Sequence, residues 1–254
     1  MCEVSEQLRD DSSLLIGLVN VGLVHSALGE ARNTMEIARR CMELAERNVN
    51  NEVPITVHYL LGVAARISGD HPRASTLDRD LMQRLVSARQ GVVAEFTPVN
   101  LWVIAPASVA WDRLALGWPD EALKLIDETL RRARELKHPF SLAYAMWMAA
   151  RLRCQRREPE AALELANTTV AVSEEHGFPT FIALGRAHRG WAMIELGQID
   201  RGIGELGDGG FPIRRNMPLS VQGYMRAGQT GRALDLLAEG LVTVERSGLH
   251  DIEA

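Results

Sequence analysis

Few of the residues that usually carry covalent or metal chemistry stand together in this chain. The seven histidines, His25, His58, His71, His138, His176, His188 and His250, are scattered. No two lie four residues apart around a carboxylate, so the helical zinc arrangement HExxH is missing. The three cysteines, Cys2, Cys41 and Cys154, are odd in number, far apart and without a CxxC pair, which argues against a disulfide framework or a zinc site. Lys124 and Lys137 are the only lysines and neither follows a glycine, so the Gly-Lys-Ser/Thr cradle for a nucleotide phosphate is absent. There is no GxSxG nucleophile elbow. We therefore expect no catalytic residue, metal or cofactor. His138 and His176, near helix ends, and the thiol of Cys154 are expected to be structural.

What is left is recognition chemistry. Tyr59, Arg66, Trp111, Trp147, Arg151 and Trp191 combine indole or phenol rings with guanidinium groups. Such residues dominate binding surfaces, and an arginine between indoles can stack as a cation on their faces. Their spacing makes the case. Turn glycines Gly29, Gly69, Gly117, Gly197 and Gly228, with Arg157 filling the same place once, recur at intervals of 40, 48, 40, 40 and 31 residues. Six residues before each anchor stand Leu23, Val63, Trp111, Arg151, Trp191 and Gln222. Trp147 lies one helical turn from Arg151, and Tyr59 and Arg66 extend the series.

The same anchors define the elements that must hold these residues. Seven residues before each stands Gly22, Gly62, Ala110, Ala150, Gly190 or Val221; five after stands Thr34, Ala74, Ala122, Ala162, Gly202 or Ala233. Small residues at fixed offsets on both sides of a turn allow two antiparallel helices to approach closely. Proline and acids then open the following helix, as in Trp118-Pro119-Asp120-Glu121. The second helix of the third repeat should run from about Pro119 to Lys137, stopped by Pro139. Six helical hairpins result. The offsets match the tetratricopeptide (TPR) pattern with a repeat of about 40 rather than about 34 residues. The expected fold is an all-α, right-handed α-solenoid of about six TPR-like hairpins. We read 1–254 as one solenoid: 1–12 an N-terminal extension, 13–206 regular repeats, 207–216 a shortened glycine-rich junction and 217–254 a weak terminal repeat. In that architecture the ladder register would face the concave groove. The competing reading is that its tryptophans fill space between long helices.

Composition narrows the partners. A net charge of −5 offers no basic excess for nucleic acid. No apolar run is long enough to span a membrane. The start, Met1-Cys2-Glu3-Val4-Ser5-Glu6, has neither the basic nor the apolar stretch of a leader, and a reducing cytoplasm is the expected location. The last hairpin is apolar along 233–242, and the residues after it are too few for another hairpin, so this end is expected to be the least stable unit or to be covered. Self-association is one route and docking on a separately encoded signalling domain another.

Four stretches are more specific: LALGWPDEAL at 114–123, HPFSLAYA at 138–145, EHGFP at 175–179 and RGWA at 189–192. Together they resemble the C-terminal repeat region of bacterial signalling proteins that join a class III adenylate/guanylate cyclase, an ATPase module and a tetratricopeptide array. The resemblance spans roughly 13–206 and, more weakly, 219–248. It implies the sensory or protein-binding part of such a system, without the cyclase and ATPase domains. The expected function is a non-catalytic protein–protein interaction or regulatory scaffold, holding a protein or peptide segment in its groove. The alternative is a small-molecule effector-sensing module of a transcriptional or cyclase regulator.

Overall fold

Local chemistry sets where the helices start and stop. The structure is a computed structural model that describes residues 11–27, 30–47, 54–87, 100–206 and 217–247. These residues form twelve α-helices and no strand: α1 (Asp11–Ala27), α2 (Ala31–Arg47), α3 (Ile55–Ile67), α4 (His71–Ser87), α5 (Leu101–Ala115), α6 (Pro119–Glu135), α7 (Pro139–Gln155), α8 (Pro159–His176), α9 (Pro179–Glu195), α10 (Ile199–Leu206), α11 (Met217–Arg226) and α12 (Thr230–Ser247). In chain order they are six helix–turn–helix repeats, the all-α solenoid that the spacing predicts.

Helices α6 to α9 open on Pro119, Pro139, Pro159 and Pro179 at the first helical position. An N–H there would have no intrahelical partner, so its loss costs nothing and the fixed φ favours the helix. The turns inside the repeats use left-handed backbone, with φ of 81° at Gly69, 84° at Gly117, 82° at Gly197 and 73° at Gly228. Arg157 takes the same place at φ 61°. A side chain there costs roughly 1–2 kcal/mol, which glycine avoids. The first expected anchor, Gly29, and the junction 207–216 lie outside the described residues.

The helices fall into two compact units, divided after Leu116. The first holds α1 to α5. There α1 packs on α2 and α3, α3 on α4, and α4 on α5. Leu14, Leu15, Leu18 and Val19 of α1 meet Ala38, Cys41 and Ala45 of α2 and Val57, Leu60 and Ala64 of α3. Small residues recur every three or four positions on α2 (Ala31, Thr34, Ala38, Cys41, Ala45), which lets the leucines of its neighbours close over it.

The second unit holds α6 to α11 and most of α12. Helix α9 is its hub, packed against α7, α8, α10 and α11. Where α7 meets α9, rings interlock edge to face: Phe140 lies 4.9 Å from Phe178 and 5.1 Å from Phe181, and Tyr144 5.6 Å from Trp147. On its other side α9 meets α10 backbone to backbone. A Cβ on Gly190 would stand 2.7 Å from the Gly202 carbonyl, and one on Gly202 2.6 Å from that of Gly190. Helix α10 is described over eight residues, up to Leu206. Cys41 in the first unit and Cys154 in the second are buried and outside any disulfide.

Candidate functional site

All six residues singled out in the sequence are buried: Tyr59, Arg66 and Trp111 in the first unit, Trp147, Arg151 and Trp191 in the second. The helices that carry them have neighbours on several sides, so the ladder register is largely covered. Trp191 has no exposed surface at all and packs with Cys154, Ala162, Ala192 and Leu219. Trp147 meets Tyr144 and Phe181 in the aromatic interlock.

Arg66 is engaged by two buried carboxylates. Its Nε and Nη2 donate to Asp112 at 3.0 and 3.1 Å, and Nη2 also reaches Asp78. The Nδ1 of His71 lies 3.0 Å from Asp112. The cluster ties α3, α4 and α5 together through two carboxylates and one permanent cation. Burial and the neighbouring Asp112 raise the Asp78 carboxyl to about 6 despite Arg66. The opposite acts on His188 in the second unit. Its Nδ1 bonds the Leu184 carbonyl at 2.7 Å, and burial, with the positive charge of Arg151, pushes the imidazole down to about 4. His188 is thus a neutral core residue. His138 caps α7 by accepting from the Ser141 N–H, and His176 bonds the Val172 carbonyl, so both have the structural roles expected. Burial raises the Cys154 thiol well above its ordinary value, so it is protonated and inert. Among the described residues no group of three or more His, Cys, Asp or Glu side chains could hold a metal. None of their helices is long and apolar enough to cross a membrane.

Accessible recognition chemistry lies elsewhere in the second unit. A cleft of about 320 Å³ opens between the end of α7, the end of α9 and α11, lined by Arg157, Glu195, Val221, Gln222, Met225 and Arg226. Gln222 is the sixth rung of the ladder. Glu195 sits between two guanidinium groups, 3.1 Å from Arg226 and 3.8 Å from Arg157. The guanidinium of Arg157 stands 6.0 Å from the Trp191 ring centroid. The sequence did signal this place, because Arg157 occupies a glycine position. Glu195 and Arg226, each two residues before an anchor glycine, carried no such mark.

No family model matches this sequence, and no curated protein matches it. Solved structures do. A Rap protein complexed with Competence and Sporulation Factor is similar over 98% of this chain and 70% of its own, with 11% identity and a TM-score of 0.69. PlcR of Bacillus thuringiensis, in complex with the peptide PapR7 and DNA, is similar over 92% of this chain and 75% of its own, with 12% identity and a TM-score of 0.64. The fold is tetratricopeptide-like. The apo form of RapI adds a third case, at 13% identity over 96% of this chain and 70% of its own, with a TM-score of 0.54. At these identities the likeness describes the fold, and the expected tie to cyclase–ATPase proteins is not part of it.

Proposed function

We propose that this chain is a non-catalytic binding module that senses a short peptide effector and acts through a protein partner. The observation that carries this reading is the likeness, across almost the whole chain, to a Rap protein solved with Competence and Sporulation Factor and to PlcR solved with the peptide PapR7 and DNA. It favours effector sensing over a passive scaffold. The buried ladder then has a supporting part. Trp111, Trp147, Arg151 and Trp191, with Tyr59 and Arg66, hold the helix spacings that shape the binding surface rather than forming that surface. A net charge of −5 disfavours nucleic acid as the partner.

Selection of a random-sequence peptide library on the immobilised chain tests the reading. Recovered peptides should bind saturably and raise the melting temperature as ligands of the folded state do. A library that yields no such peptide would sink it. A second reading, a scaffold for a separately encoded cyclase or ATPase module, draws on the sequence stretches at 114–123, 138–145, 175–179 and 189–192. Co-purification with such a module, in the absence of any peptide, would favour it.

A further inference from the structure

Arg157 is in a place its backbone does not suit. Four other turns of the same kind hold glycine at φ 73–84°, and this one holds an arginine at φ 61°. An observed outlier of this sort justifies looking for what the side chain does. The guanidinium of Arg157 accounts for it poorly as a structural group. Its side chain is 55% exposed, and 3.8 Å to Glu195 is too long for a hydrogen bond. The guanidinium meets only that charge and the face of Trp191, and among the described residues its N–H groups have no hydrogen-bond acceptor. Arg226, 64% exposed, faces the same carboxylate from the other side. Glu195 is nearly covered, and its Oε1 is buried without a hydrogen-bond partner.

We infer that this cleft takes an acidic side chain of a peptide segment, flanked by a large apolar residue. The inference rests on the reading of the chain as a peptide sensor and names the ligand chemistry and its place. Glu195 holds Arg226 at 3.1 Å, faces Arg157 through charge alone and neutralises one of their two charges, leaving a net positive charge at the mouth. Donors on Arg157 and Arg226 then converge on an Asp or Glu carboxylate. Val221 and the half-exposed Met225 give the neighbouring apolar side chain a wall, which a free inorganic anion would not use. A cleft of about 320 Å³ is at the small end of ligand sites, enough for one or two side chains of a longer segment. Trp191, beneath Arg157, joins the buried ladder to this surface.

The test uses the full chain and the peptides selected on it. They should be enriched in Asp or Glu beside a large apolar residue, and raised salt should weaken their binding. Arg157→Gly is the decisive variant, because it relieves the backbone while deleting the guanidinium. It should keep or raise the melting temperature, weaken the selected peptides by about fivefold or more, and reduce the salt dependence. Arg226→Ala, on an exposed side chain, should weaken the same peptides without loss of fold. Selected peptides without acidic enrichment, bound within about twofold by both variants, would overturn the inference and leave the sensing function standing. A lower melting temperature for Arg157→Gly with unchanged affinity would show Arg157 to be structural. Full competition by inorganic phosphate alone would show an anion site without peptide selectivity. If no peptide is selected, the sensing function itself fails and this inference with it.

Discussion

Asp78→Asn gives the sharpest check on the buried cluster. The side chain has no exposed surface, and it shares the Arg66 guanidinium with Asp112. The folded protein raises its carboxyl from 3.8 to about 6. Between those values the folded chain holds a proton here that the unfolded chain has released. Stability from this position is therefore fully present below about pH 3.8 and lost as pH rises through about 6. About two pH units at 1.36 kcal/mol each set a ceiling of about 3 kcal/mol. Asparagine keeps the shape and an acceptor for Arg66 but cannot ionise. It forfeits part of a charge-assisted hydrogen bond, so a gain of about 1–2 kcal/mol at about pH 7.5 is expected, with near-equal stability at about pH 4. Urea unfolding of both proteins at the two pH values, with hydrogen exchange read on peptides from α3 to α5, measures it. A variant that is less stable at pH 7.5 and unchanged at pH 4 would refute the reasoning. Asp78 would then be an ordinary ionised partner whose carboxyl is lowered.

Three further outcomes are expected. His188 titrates at about 4 in the folded chain against 6.5 outside it, so its contribution is intact above pH 6.5 and lost as pH falls toward 4; His188→Gln should reduce the acid-induced rise in hydrogen exchange along α9. Gly190→Ala forces a methyl against the Gly202 carbonyl and should cost about 1–3 kcal/mol, read as a drop in melting temperature. Trp191→Ala should cost about 3–5 kcal/mol by opening the core around Cys154 and Leu219, and urea unfolding would show it; an unaltered fold with binding lost would restore this indole to the binding surface.

Turn chemistry is what made the fold legible. A left-handed position tolerates few residue types, so Gly69, Gly117, Gly197 and Gly228 could be found by spacing alone, and the small residues beside them followed. The second helix of the third repeat, expected to run to about Lys137, ends at Glu135 with Leu136 as its cap. The site was less legible because its geometry is long-range. Arg66 meets Asp112 across 46 positions, and no local pattern distinguishes a buried ion pair from an exposed arginine. The tryptophan ladder carried a period but not an exposure. A helix flanked on several sides is covered around most of its circumference, so its periodicity cannot say which face is free.

Among the described residues, Cys41 and Cys154 place one buried thiol in each compact unit. A thiol sealed from solvent reacts with an alkylating reagent only when its surroundings open. The two cysteines are thus native clocks, needing no engineered label, for the opening of α2 and of α7. With the modified peptides resolved by mass, equal alkylation rates over a denaturant series would mean that both units open in one cooperative event. Unequal rates would give each half of the chain its own lifetime, and addition of a peptide would show which half the ligand slows.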